Sequence, residues 1–319
     1  MKAILLNDTD AGRHIGCELV IRNTRLLCEQ YGIEIIHSVK TRAAMESENQ
    51  IAPLLNTADL ILLNGEGTLH DDKPRALALL KAAGMGKAAG LKTVLYNSIW
   101  DNNPIGQQYL PNFDLIYCRD SHSSSEIRIF HPNLKVQTVA DMIFTTQLSS
   151  QLSPQSNNPL ISDSVKKDKC FALAKFAVRN RLPFVPMGSG FHDRVRSSPI
   201  LKWKLSRHCN YQFDQLDTPE SFAAKIQSSS GIVTGRFHAA CFALLLETPV
   251  CCLSSNTRKI ESLFSDFGLS PELVEQNVSS LEDAVPQWQE QIQHRRQLNQ
   301  HIEKTRKKIH RMFEQISQL

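Results

Sequence analysis

A chain of 319 residues is longer than one ordinary hydrophobic core supports, which predicts two domains. Its 41% hydrophobic and 21% charged residues fit a globular protein, and a formal net charge of +4 is too small to require a nucleic-acid partner. The opening MKAILLNDTD meets Asp8 after a short apolar core, so it reads as a buried strand and not as a secretory segment. No apolar run reaches membrane-spanning length; even Ala239–Leu246 stops at Glu247. Cysteines stand at 17, 28, 118, 170, 209, 241, 251 and 252, without a CxxC pair or zinc spacing, and several sit in apolar segments. That pattern suits reduced thiols in a cytoplasmic setting, with no metal site expected.

In chain order, short apolar runs alternate with helical stretches. Strands are predicted at Ala3–Leu6, Ile33–His37, Leu60–Leu63, Thr93–Tyr96 and Asp114–Tyr117. Helices are predicted at Cys17–Gln30, Gln50–Leu55, Pro74–Ala89 and Ser121–Phe130. This alternation means βαβ units and a mainly parallel sheet, whose ligands sit beyond the carboxyl ends of the strands. Those ends read Asn7-Asp8, Asn64-Gly65-Glu66-Gly67, Asn97-Ser98 and Arg119-Asp120, a polar rim suited to an active-site floor.

Thr145–Ser162 is uncharged and rich in Ser, Gln, Asn and Pro, the composition of a linker. The pattern then restarts with strands at Leu160–Ser162, Pro183–Pro186, Ile232-Val233 and Val250–Leu253. Helices are expected at Lys166–Arg179, near Pro199–His208, from Thr218 with Pro219 in its first turn, from Phe237, and at Arg258–Phe267. The expected architecture is therefore two Rossmann-like α/β domains with a cleft between them: residues 1–146, a linker at 147–160, and residues 161–280. A last segment, 281–319, reads as one amphipathic helix with Trp288, Ile292, Leu298, Ile302, Ile309, Phe313 and Ile316 in a stripe. Its other faces carry Arg295, Arg296, Lys304, Arg306, Lys307, Lys308 and Arg311. Two readings are open for it: docking on the body of the protein, or peripheral contact with an anionic membrane surface or an acidic polymer.

The segment Gly231–Lys259, GIVTGRFHAACFALLLETPVCCLSSNTRK, carries the strongest chemical signal. A strand turns at Thr234-Gly235 into a helix, where unpaired N–H groups and the helix dipole attract anions. Arg236 adds a charged fork suited to phosphate or carboxylate, and His238 adds a group that titrates near neutrality. Lys259, with Arg258, stands after the next strand and can close the same pocket. In the first half, the Asn64-Gly65-Glu66-Gly67 loop lets backbone approach a ligand, though it lacks the third glycine of a dinucleotide fingerprint. Asp71 and Asp72 either cap the helix at Pro74 or act as a base for a sugar hydroxyl. Arg119 is an anion ligand or pairs locally, Asp141 braces Arg119 or faces substrate, and His14 is a further ligand candidate.

Taken together, these segments resemble the polysaccharide pyruvyl transferase family from Ala3 to about Leu269. The resemblance rests on VTGRFHAACFALLLETPVCCL followed by Lys259, and on LNGEGTLHDD, CRDSHSSSEI and VADMIF. It implies a fold like that of GT-B glycosyltransferases, phosphoenolpyruvate as donor substrate with no further cofactor, and a carbohydrate acceptor, free or lipid-linked. The product would be a cyclic pyruvate ketal of a surface glycan, with Arg236 and His238 at the donor-binding positions. The chain departs from the family pattern at Glu66, where glycine is usual, and in the loop NDTDAGRHIGC. It departs again at Ser162–Lys166, where an arginine commonly follows the strand; Arg194 or Arg196 would compensate. Two other functions remain open: a nucleotide-sugar glycosyltransferase using Glu247 or Glu261 for a ribose, and a non-catalytic glycan-binding relative.

Overall fold

The computed structural model describes residues 1–10, 14–40, 48–148, 156–191, 198–209, 211, 217–271, 274–275 and 295–319. Contacts divide the chain into two units whose membership interleaves along the sequence. Unit 1 comprises Met1–Thr9, Val20–Thr145 and Lys304–Leu319; unit 2 comprises Asp10–Leu19 and Thr146–Glu303. The contiguous boundaries read from sequence miss this exchange: His14 groups with the second unit and the last helical turns group with the first. Half of the linker segment, residues 149–155, lies outside the described residues.

Unit 1 is built on six parallel strands in the order β2-β1-β3-β4-β5-β6. They span β1 Lys2–Asp8, β2 Glu34–Lys40, β3 Leu60–Glu66, β4 Lys92–Ser98, β5 Leu115–Cys118 and β6 Val136–Thr138. Helices α1 Ile15–Gln30, α2 Glu48–Leu55, α3 Pro74–Ala88 and α4 Ser121–Phe130 connect them. The central strands are apolar in continuous runs, such as Leu60–Leu63, because a parallel sheet is covered on both faces. The core on one face joins Ile4, Leu6, Ile61, Leu63 and Leu95 to Leu79, Leu80 and Ala83 of α3. Asp120 caps α4, its Oδ1 accepting from Ser123 N at 2.8 Å. Short elements carry little periodic signal, and β6 and the 3-10 turns Gly106–Asn112 and Met142–Thr145 have no counterpart in the sequence reading.

Unit 2 repeats the scheme with four parallel strands ordered β10-β9-β8-β7: β7 Leu160–Ser164, β8 Ile232–Gly235, β9 Val250–Leu253 and β10 Val274–Glu275. Its helices are α5 Lys167–Asn180, α6 Pro199–His208, α7 Pro219–Gln227, α8 Phe237–Leu245 and α9 Lys259–Asp266. The strand expected at Pro183–Pro186 is a single parallel bridge of Phe184 to Ile161, on the edge of β7 away from β8. Proline at 183 and 186 limits the ladder it can form there. In unit 1 the order reverses at β1, flanked by β2 and β3; in unit 2 it reverses at β7, flanked by the Phe184 segment and β8. Ligands of open α/β sheets collect at the carboxyl ends of such reversals.

Helix α10, Arg295–Ser317, buries Leu298, Ile302, Ile309, Met312, Phe313 and Ile316. Within unit 1, the Phe313 ring lies 6.4 Å from Tyr31 and 6.3 Å from Tyr96, and Tyr117 OH donates to Gln315 Oε1 at 2.8 Å. Lys304, Lys307, Lys308 and Arg311 stay exposed. Among the described residues the apolar stripe packs into the protein, as the docking reading expects, and those basic residues lie on the outer faces of the helix. Trp288 and Ile292 lie outside the described residues, as do Arg194 and Arg196. No helix among the described residues is long and apolar enough to cross a membrane. Truncating the buried ring in Phe313→Ala should lower the stability of unit 1 by about 3–5 kcal/mol in urea unfolding. A loss below about 1 kcal/mol would show that the helix end contributes little to that core.

Candidate functional site

In unit 2 the carboxyl ends of β7 and β8 run unusually close. A Cβ added at Gly235 would lie 2.3 Å from Ser164 Oγ and 2.6 Å from its Cβ, so only glycine fits beside that serine. The adjoining Thr234 side chain links the two strand ends, accepting from Arg236 N at 3.0 Å and donating to Asp163 O at 3.3 Å. Arg236 is thereby fixed in an extended conformation as the N-cap of α8. Its Nε donates to Asp163 Oδ2 at 2.9 Å, and its Nη2 donates to the same oxygen. The other carboxylate oxygen accepts from Met187 N at 3.0 Å. Burial works against the guanidinium charge, but the adjacent Asp163 carboxylate outweighs it and holds Arg236 protonated.

His238 follows in the first turn of α8, a helix buried along its whole length. The start of α1 packs directly on its ring: a Cβ at Gly16 would meet the imidazole at 2.3 Å. His14 and His238 stand edge to face with centroids 5.6 Å apart. His14 is fixed by Ile15 N donating to Met187 O at 3.0 Å, and its Nδ1 accepts from Cys17 N at 3.3 Å. That bond assigns the proton of neutral His14 to Nε2, which then serves as a donor. Burial, followed by the charges of His238, Arg236 and Lys259, pushes the His14 pKa well below its ordinary value. Lys259 is buried in the first turn of α9, and its Nζ donates to Asn256 Oδ1 at 2.8 Å.

Two residues of this region escaped the sequence reading. Asp163 sits in a polar Ser-Asp-Ser run whose burial only the sheet reveals. Lys169, in the first turn of α5, is 9% exposed and donates from Nζ to Ser254 O at 3.2 Å and to Ser254 Oγ. Burial lowers its pKa. The structure also brings the ligand atoms of His14, Cys17 and His238 within 4.8 Å of one another. Sequence inspection found no such cluster because His238 lies far along the chain from the other two.

The candidates of unit 1 occupy a second, internally bonded network. Asn7, Asn64 and Asn97 end three adjacent strands and are buried. Asn7 Nδ2 donates to Asn64 O at 2.6 Å, and Asn97 Nδ2 donates to Asn64 Oδ1 at 3.0 Å. Glu66 accepts from Thr9 Oγ1 at 2.7 Å and Asn64 Nδ2 at 3.3 Å. Gly65 faces Ser98 as Gly235 faces Ser164, with an added Cβ only 2.1 Å from Ser98 Oγ. Gly67 follows in the half-buried turn after β3. Arg119 and Asp141 are both buried and pair at 3.0 Å, the local arrangement that the sequence left open.

Neither Asp71 nor Asp72 caps α3, whose N-cap residue is Lys73. Asp72 instead accepts from Ile105 N at 2.7 Å and Gly106 N at 2.8 Å, shaping the turn before the first 3-10 helix. Asp71 is exposed and accepts from Asn102 Nδ2 at 3.0 Å and contacts His70 Nδ1 at 2.8 Å. These bonds, the Asn102 one foremost, pull its carboxyl below the usual carboxylate range and weaken it as a base.

Removing the carboxylate in Asp163→Ala leaves a charged Arg236 with its partner gone, and should cost about 3–5 kcal/mol in chemical denaturation. Gly16→Ala should leave the unit folded yet displace the His238 ring, reducing phosphate affinity measured by calorimetry. Unchanged affinity would show that the contact is not needed to seat His238.

No protein of curated function matches the sequence. Among solved structures, UDP-GlcNAc 2-epimerase of Methanocaldococcus jannaschii in complex with UDP-GlcNAc and UDP aligns over 90% of this chain and 92% of its own, with 12% identity and a TM-score of 0.55. The UDP-GlcNAc 2-epimerase of Neisseria meningitidis bound to UDP-GlcNAc covers 92% and 94%, with 12% identity and a TM-score of 0.47. T4 phage BGT in complex with UDP and Mn2+ covers 99% and 98%, with 10% identity and a TM-score of 0.45. At 12% identity the first likeness is one of fold, and it agrees with the GT-B-like class of two parallel α/β units and a long C-terminal helix. A family model, polysaccharide pyruvyl transferase, matches residues 14–257. That span runs from the histidine before α1, through the Asp163–Arg236 pair and His238, almost to Lys259, and the chain accordingly belongs to the polysaccharide pyruvyl transferase family.

Proposed function

We propose that the protein transfers pyruvate from phosphoenolpyruvate to a hydroxyl pair of a carbohydrate, forming a ketal in the assembly of a surface glycan. The observation that carries this reading is the placing of Arg236 as the N-cap of α8 and His238 in its first turn, with the His14 ring edge to face on His238 at 5.6 Å. Cations and N–H donors concentrated at one helix terminus suit a ligand with two anionic groups. Phosphoenolpyruvate has two, a carboxylate and a phosphate on adjacent positions.

In the proposed reaction the methylene carbon C3 takes a proton as one acceptor hydroxyl bonds to C2. The second hydroxyl then displaces phosphate from C2, giving the cyclic ketal and inorganic phosphate. One hydroxyl proton balances the proton gained by C3, and the other leaves with the phosphate. Arg236, the first amides of α8 and Lys259 are assigned to the anionic groups. Asp163 orients the guanidinium, and neutral His14 offers Nε2–H as a further donor. His238 is assigned as phosphate ligand and general acid. On the acceptor side Asp72 holds backbone amides, so the hydrogen-bonded Asp71 is the remaining carboxylate of that pair with exposed oxygen.

Calorimetric titration with phosphoenolpyruvate and with a panel of nucleotide sugars tests the donor, and phosphate release in the presence of surface glycans tests turnover. Phosphoenolpyruvate should bind, Arg236→Lys should weaken that binding by about tenfold or more through loss of the planar fork, and His238→Ala should abolish transfer. Preferential binding of a nucleotide sugar, or wild-type turnover by His238→Ala, would overturn the assignment.

A further inference from the structure

The start of α1 and the start of α8 supply three soft ligand atoms to one point in unit 2. His14 and Cys17 are three residues apart across the beginning of α1, a spacing that puts two side chains on one helical face. His238 adds a second imidazole from α8, and the ligand atoms of the three lie within 4.8 Å of one another. The close fit of Gly16 against the His238 ring fixes the two helix starts together, so the three donors are gathered by backbone packing. Cys17 is half-buried while the other seven cysteines are buried, which leaves its sulfur the accessible one.

One thiol and two imidazoles form the donor set of a borderline-soft divalent ion. Three protein ligands also leave a fourth tetrahedral position for water or an oxygen ligand. With no carboxylate among the three, the set disfavours magnesium and calcium. The neighbouring charges oppose a cation less than their number suggests. Arg236 is paired with Asp163, and the Lys259 ammonium donates to Asn256.

We propose that His14, Cys17 and His238 form a binding site for a zinc-class divalent ion, and that occupancy competes with use of the anionic donor because both require the His238 imidazole. On binding, the Cys17 S–H bond breaks, its proton passes to solvent and the sulfur–metal bond forms, while His14 turns its Nδ1 lone pair from the Cys17 N–H to the metal and keeps its proton on Nε2. The competition rests on the donor reading given above; the metal site itself does not.

Full-length protein stripped with a chelator and titrated with Co2+ should take up one equivalent and develop a thiolate-to-cobalt charge-transfer absorption. Zn2+ should bleach that band, whereas Mg2+ should leave it unchanged. Cys17→Ser should lose the band and weaken zinc binding by more than about tenfold, and His14→Ala should weaken it comparably. Circular dichroism on both variants establishes that they are folded. Absence of the band in the wild type, or its persistence in Cys17→Ser, overturns the site. Phosphoenolpyruvate affinity is then measured with and without one equivalent of zinc; equal affinity overturns the competition. Failure of metal-free protein to bind phosphoenolpyruvate would instead sink the donor reading while the cobalt result stands.

Discussion

The ion pair between Asp163 and Arg236 is the constraint on which the unit 2 site depends. It joins the ends of two neighbouring strands at the point where strand order reverses. A guanidinium buried without a partner would be costly, and a carboxylate gripping it from one side leaves its remaining N–H groups directed by the strand geometry. Gly235 makes the pair feasible by letting β8 lie against Ser164, and Thr234 ties the two backbones across the same gap. His238 inherits its place from this arrangement, since α8 begins immediately after the anchored arginine.

The two units solve one problem with different chemistry. Each sets a glycine of one strand against a serine of the next, Gly65 with Ser98 and Gly235 with Ser164. Around that contact unit 1 places amides: Asn7, Asn64 and Asn97 exchange neutral hydrogen bonds along the strand ends, with Glu66 bonded into the set. Unit 2 places ionisable groups, with one carboxylate, one guanidinium, two imidazoles and the amine of Lys259. Neutral networks of this kind rigidify a sheet terminus, whereas concentrated cations create a field that attracts anions. Both units also bury an arginine–aspartate pair, Arg119 with Asp141 in unit 1 and Arg236 with Asp163 in unit 2.

Much of the architecture was legible in the residues. Helices α4 and α6 and strand β9 fall where the sequence puts them, because a polar cap, a Pro at the first turn and an apolar run between turns are local signals. The segment from Gly231 to Lys259 was legible for a similar reason: strand, glycine turn, arginine and helix are consecutive. The interleaving of the units was not, since residues Asp10–Leu19 and Lys304–Leu319 cluster with sequence-distant partners. Nor were the fates of Asp71 and Asp72, which depend on amides and side chains at 102–106 that the fold carries to them.

The sequence by itself determined the α/β class, the family, and the arginine-bearing strand-to-helix turn at Thr234–His238, because each is encoded in contiguous residues whose periodicity and chemistry act locally. Tertiary structure alone decided which charges are balanced and which donors meet. Asp163 reaches Arg236, and His14 and Cys17 reach His238, only because parallel strands return distant segments to the same edge and a glycine there lets the backbones touch.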